Sequence, residues 1–350
     1  MRNTALVIIF LFILSVSGCN IKPVAEPLPI SVTTNLSLLQ ENPQFVMYLN
    51  FKNMRHTDFW RKNISDSLLN AEKTFGSLLN TFKEATGASI SDGIDELYYS
   101  NSWFGENAII LKGVFKREKL DSYIETDSIF SVAKFTDGTK IYIKNDNGLY
   151  FYFRDDYTIC ASNYLKQIDE MMQVNDTVKS GLLLNQDAYS SIENIIYKEN
   201  LWMVTTEKLF IRGIFQNFLE STSDRIIDME DTTGNEGDSI SVDEKPNIVN
   251  LYKRLNSVSF SAKMDEDLKF LIQGECINNE SSKYLKSLIS GLITVGKLKS
   301  AGKKNQNAEN LLDKIKLDRY DSSVFVELSI NENTLNDLKK IDLMNEPGIE

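Results

Sequence analysis

The sequence predicts an α+β fold of two tandem similar halves, each a mainly antiparallel sheet with helices packed on one face. Three observations carry this reading. Strand-like apolar runs come in clusters joined by short turns, stretches of helical periodicity flank them, and the order of elements met over residues 38–175 recurs over 176–345. The recurrence is one of element order and periodicity, with no residue identity behind it.

The globular part is expected to start near Leu38. Asn42-Pro43 makes an entering turn, and Phe45 to Asn50 is an apolar strand. From about Asp66 to Ala85, Leu68, Leu69, Phe75, Leu78, Leu79 and Phe82 fall at the spacings of one helical face. Strands follow at Glu96 to Asn101 and Asn107 to Phe115, joined by a loop carrying Trp103, Phe104 and Gly105, and then a short helix over Lys116 to Thr126. Thr139 to Lys144, Leu149 to Phe153 and Tyr157 to Ser162 are three more strands. Asn147-Gly148 accepts the positive φ values of a tight hairpin between the first two. Tyr164 to Met172 closes the half as a helix.

In the second half Leu201 to Thr205 takes the place of the first strand and Glu207 to Phe218 that of the long helix. Ser257 to Lys263 and Leu268 to Cys276 are the paired strands, Ser282 to Val295 the short helix. Ile315 to Leu317 and Ser323 to Ile330 stand for the late strands, and Asn331 to Lys340 is the closing helix. The stretch 228–247 is acidic, rich in Gly, Ser and Thr, and nearly free of apolar residues, so it is expected to be a disordered loop. It lacks the ligand alternation and sixth-position glycine of a calcium loop.

Composition narrows the function. Lys and Arg number 38 against 49 Asp and Glu, a net charge of −11 that disfavours nucleic acid and anionic headgroups as partners. The 42% apolar and 25% charged content is that of a globular chain able to bury a core. Cys160 and Cys276 lie in strand-like runs and are expected to be buried free thiols; sequence alone leaves a disulfide between them open.

The N-terminus carries the clearest signal. Arg2 supplies positive charge, Ala5 to Leu14 is an unbroken apolar run, and Val16-Ser17-Gly18 places small residues before Cys19. The run is shorter than the roughly 20 residues a spanning helix needs. This pattern resembles the lipobox of a bacterial lipoprotein signal. The resemblance implies a signal peptide over 1–18, acylation of the Cys19 sulfur, and a mature chain held on a membrane by lipid (palmitate or similar). Asn20 stands where an Asp marks inner-membrane retention in didermal bacteria, which points to the outer membrane, facing the periplasm. Pro23, Pro27 and Pro29 make 19–37 an extended tether.

A second resemblance covers most of the mature chain. Phe45 to Asn50, then Asn107 to Phe115 followed by a helix at Lys119-Leu120, and Phe270 to Cys276 before a helix, resemble a family of exported bacterial proteins of unknown function. That family implies the repeated α+β architecture and supplies no catalytic residues.

Motifs for chemistry are weak. Gly291 to Leu298 has phosphate-loop spacing but ends in Leu298 where Ser or Thr must hold magnesium, and its apolar periodicity is that of a helix ending at these glycines. His56 is the only histidine, without marked partners for a triad or zinc site, and is expected at the surface or half-buried. The carboxylate pairs Asp155-Asp156 and Asp265 to Asp267 read as turns. No cofactor, metal or catalytic residue is expected. Aromatic crowding at Tyr98, Tyr99, Trp103, Phe104, Tyr150 and Tyr152 is expected to be covered by the second half of the repeat, with a surface for an apolar ligand or partner protein as the alternative. The sequence thus favours a non-catalytic envelope lipoprotein that binds or assembles through a protein partner. A carrier of a hydrophobic ligand such as lipid, held between the two lobes, is the alternative, and an enzyme is the third reading.

Overall fold

The computed structural model describes residues 22–74, 78–135, 138–146, 148–175, 178–222, 250–302 and 306–336. The signal segment with Cys19, and the acidic loop 228–247, lie outside these residues.

Twelve strands form one antiparallel sheet, confirming the α+β class. In chain order, α1 (Ile30–Leu36) precedes β1 (Phe45–Asn50), and α2 (Phe51–Arg55), α3 (Asp58–Asn63), α4 (Ser65–Lys73) and α5 (Leu78–Thr86) follow. Then come β2 (Ile94–Asn101), β3 (Asn107–Gly113), α6 (Arg117–Thr126), β4 (Phe130–Lys134), β5 (Lys140–Lys144), β6 (Leu149–Asp155), β7 (Thr158–Ser162), α7 (Leu165–Gln173) and α8 (Gln186–Glu193). The chain continues through β8 (Leu201–Thr205), α9 (Lys208–Thr222), β9 (Leu255–Met264), β10 (Leu268–Cys276), α10 (Asn279–Gly302), α11 (Gln306–Asp313), β11 (Lys316–Tyr320) and β12 (Ser323–Ile330).

β1 pairs with β8 at the centre, joining Val46 to Val204 and Leu49 to Leu201. Outward from β1 run β2, β3, β7, β6, β5 and β4; outward from β8 run β9, β10, β12 and β11. The two wings therefore lie side by side in a continuous sheet.

In the first wing the helices cover both faces, not one. Val46, Tyr48, Tyr98, Ile110, Cys160 and Trp202 pack under α1, α7 and α8. Leu49, Leu97, Leu111 and Ile159 on the other face pack with Phe51, Met54, Phe59 and Trp60. Strands apolar on both faces need two covering layers, which is why β7 is buried throughout.

Several expectations are corrected in detail. The segment 19–37 is structured from Lys22 onward: Lys22 Nζ lies 2.9 Å from Glu275 Oε1, and α1 buries Val32 and Leu36 in the core. The helix expected over 66–85 is α4 and α5, with residues 75–77 outside the described set. β4 was not foreseen; it is the outermost strand of the sheet, and its mostly exposed residues leave only a weak pattern. α10 runs straight through Gly291 and Gly296, which do not end it. At Gly296 a Cβ would come within 3.1 Å of Leu312 Cδ1, so the glycine lets α11 approach and tertiary packing outweighs its local helix cost. Cys160 and Cys276 are both free and buried.

Candidate functional site

The strongest candidate lies on the β9–β12 wing. Antiparallel pairing puts registered residues on one side of the sheet, and three such rows are apolar. Val258, Gly274 and Val324 form one row, Phe260, Ile272 and Val326 the next, and Ala262, Phe270 and Leu328 the third. Phe260 and Phe270 stack with centroids 5.4 Å apart. On the reverse side the same strands carry Ser257, Ser259, Ser261, Gln273 and Ser323, all buried and polar. Period-two alternation therefore gives this wing one apolar face and one mixed face, on which Leu271 and Phe325 are buried beside these polar residues.

The apolar face is roofed by Ile214 and Phe215 of α9 and by Leu285, Ile289 and Ile293 of α10, but the roof does not touch the sheet everywhere. At Gly274 contact is tight, because a Cβ there would sit 3.1 Å from Leu285 Cδ2. Around it Leu251, Leu255, Cys276, Leu285 and Val324 form a compact cluster. One step along the same face Ile272 is 45% exposed, and helix and sheet flank a hollow of about 600 Å³ that is open to solvent on one side. Apart from Gly274, every residue lining it carries a hydrocarbon or aromatic side chain.

That lining determines the chemistry. The volume falls within the roughly 300–1,000 Å³ typical of small-molecule sites. A wall without side-chain donors, acceptors or charges can hold hydrocarbon and leaves any polar group of a ligand outside. The hollow is inside one wing rather than between two lobes, where a carrier's space was expected.

The six aromatic residues singled out from sequence do not form one surface. Tyr98 and Tyr152 are core residues on the α1/α7 side, where Tyr150 packs against the same cluster. Tyr99 points to the opposite face, its ring 5.6 Å from Phe45 and its hydroxyl donating to Asn107 Oδ1 at 2.6 Å. Trp103 and Phe104 sit on the β2–β3 hairpin, 48% and 90% exposed. Pleat alternation separates neighbours such as Tyr98 and Tyr99 by a sheet's thickness, so sequence adjacency could not unite them.

A polar cluster fills the α1 side of the sheet centre. Tyr98 donates its hydroxyl to Glu96 Oε2 at 2.7 Å, Tyr48 Oη is 3.4 Å from Glu96 Oε1, and Asn50 Nδ2 donates to Tyr48 Oη at 3.0 Å. Burial, reinforced by the Glu96 charge, pushes both phenols above their ordinary range. They are proton donors that brace a carboxylate within the core. Burial likewise pushes the Cys160 and Cys276 thiols up to about 12, so neither is an activated nucleophile near neutral pH. His56 is exposed just after α2. Asp155 accepts from the Tyr157 amide at 2.7 Å, and the Asp265 amide donates to the Asp267 carbonyl at 3.0 Å, as turn residues do. Among the described residues no group of three or more His, Cys, Asp or Glu is placed to hold a metal, and no helix is long and apolar enough to cross a membrane.

The hollow was missed in the sequence although its wall was legible. Phe260, Phe270, Ile272, Val324, Val326 and Leu328 alternate with polar residues, which marks an apolar sheet face; that the covering helices stand off from it has no sequence signature.

No protein-family model matches the chain, and no curated protein matches it. Solved structures of TP0453 are similar in shape. Its crystal form III gives a TM-score of 0.47 at 9% identity, covering 87% of this chain and 97% of that one. Crystal form I gives 0.45 at 10%, covering 92% and 99%, and crystal form IV gives 0.44 at 8%, covering 87% and 95%. At these scores and identities neither a residue role nor a function passes to this chain.

Proposed function

We propose that this protein is a non-catalytic binding protein, held at a membrane through Cys19, that takes the hydrocarbon chain of a lipid-like ligand into the hollow of the β9–β12 wing. One observation carries the reading: a half-open hollow of about 600 Å³ whose lining, among the described residues, offers no polar side chain. A chain of this size normally closes such a gap, since an unfilled cavity forfeits packing contacts along its whole wall. A ligand that supplies those contacts recovers the lost stability. Lipid carriage thus replaces assembly through a protein partner as the leading reading.

The test is to purify the full chain from its native membrane without exchange into detergent-free organic solvent, extract it, and identify acyl lipids by mass spectrometry. One lipid per chain, absent from a Val326→Phe variant whose ring occupies the hollow, is the expected result. A chain that carries no lipid and also fails to take up an added fatty acid contradicts the proposal.

A further inference from the structure

The first described residue, Lys22, and several exposed aromatic residues lie at one end of the sheet. Strand registers define that end: Phe45 opposes Asn101, Asn101 opposes Asn107, Ala108 opposes Ser162, and Thr205 opposes Val258. Cys276 opposes Leu255, and Glu275 opposes Ser323. Contacts carry the end across the twist of the sheet. Asn163 Nδ2 donates to the Gly105 carbonyl at 2.8 Å, linking the end of β7 to the β2–β3 hairpin. Trp103 Nε1 donates to Glu207 Oε2 at 3.3 Å, linking the hairpin to the end of β8. Glu207 and Glu275 then flank one polar cleft.

Lys22 is fixed at this same end. Its ammonium donates to Glu275 Oε1 at 2.9 Å and to Ser323 Oγ at 2.6 Å, and lies 5.9 Å from the centre of the Phe325 ring. Cys19 is three residues upstream, a distance that even a fully extended chain covers in about 11 Å. A lipid on Cys19 therefore cannot carry the bilayer far from the Glu275–Ser323 corner.

The side chains here suit a bilayer boundary. Trp103, Phe104, Tyr164, Leu165, Leu209 and Ile277 are all exposed at this end. Trp and Tyr favour the headgroup level because their rings are apolar at one end and polar at the other. Exposed apolar side chains gathered next to a membrane tether recover the hydrophobic free energy they forfeit in water. We infer that the Lys22 corner and the Trp103–Phe104 hairpin together form a membrane-facing end, seated on a zwitterionic lipid surface with Trp103 at the interface. The net charge of −11 makes zwitterionic headgroups, rather than anionic ones, the match.

The inference rests on Cys19 acylation and is independent of the hollow. Trp103 makes it measurable, because Trp60 and Trp202, the other two tryptophans, are buried. The full lipidated chain is bound to phosphatidylcholine vesicles with and without bromine on the acyl chains, and tryptophan emission is compared. Brominated vesicles are expected to remove the part of the emission that Trp103→Phe also removes, Phe104→Asp to weaken that quenching, and Val326→Phe to leave it unchanged. A chain that floats with the vesicles but shows equal Trp103 emission in both overturns the orientation. A chain that does not float overturns the anchor and the orientation with it.

Discussion

The two wings of the sheet solve the same packing problem differently. On the β2–β7 side each face is covered closely: Tyr98, Ile110 and Cys160 are fully buried under one layer, together with Trp202 of the central strand β8, and Phe59 and Trp60 seal the other. On the β9–β12 side one face is mixed polar and apolar and the other is apolar but only partly covered by its helices. The contrast separates scaffold from site. Close packing covers both apolar faces of the first wing, while the second leaves part of its apolar face uncovered among the described residues.

Large-to-small changes separate the wings most sharply. Trp202→Ala removes a fully buried ring 5.4 Å from Tyr48 and should cost about 3–5 kcal/mol in denaturant unfolding. Leu328→Ala, on the wall of the hollow, should cost under about 1.5 kcal/mol, because its side chain has fewer neighbours to lose. Equal costs would mean that the hollow is filled in solution.

Small-to-large changes reverse the sign. Ala108→Leu, at a fully buried position, should destabilise by about 1–3 kcal/mol through overpacking. Val326→Phe should be neutral or stabilising, since the added ring enters open space; a loss as large as that of Ala108→Leu would contradict the cavity.

Alkaline pH should strain the first wing more. Tyr48, Tyr98, Tyr142, Tyr152 and Cys160 all have proton affinities raised chiefly by burial, against Cys276 and Tyr320 in the second wing and Tyr197 beside Glu327 of β12. Above about pH 9 the folded state binds more protons than the unfolded chain at these groups, so stability falls as pH rises through the alkaline range. Urea midpoints measured upward from pH 8 should decline, and Tyr98→Phe with Cys160→Ala should flatten the decline more than Cys276→Ala does. The smallest effect concerns the thiols themselves: both should resist alkylation at pH 8 in the native protein and react once it is unfolded. Rapid native labelling of Cys160 would show that its wing opens readily.

Much of the scaffold was legible because it follows local periodicity. The strands at Phe45, Asn107, Leu149 and Leu268 begin where apolar runs begin, and Gly148, with φ of 64°, takes the positive-φ conformation its hairpin turn requires. What escaped depends on contacts distant in sequence. Pro23, Pro27 and Pro29 read as a free tether, yet Lys22 finds Glu275 some 253 positions away. Gly291 and Gly296 read as a helix end, yet Leu312 packs across the second of them. The hollow belongs to this second group. Its wall is a pattern of residues, but its volume is a distance between α10 and the sheet.

The most direct test of the account is a titration of the purified full chain with a fluorescent polyene fatty acid. Saturable uptake of one molecule per chain, displaced by unlabelled fatty acid and abolished by Val326→Phe while Trp103→Phe leaves it intact, is the predicted result. Uptake that never saturates, or that Val326→Phe does not change, would contradict the assignment of the β9–β12 hollow as the ligand site.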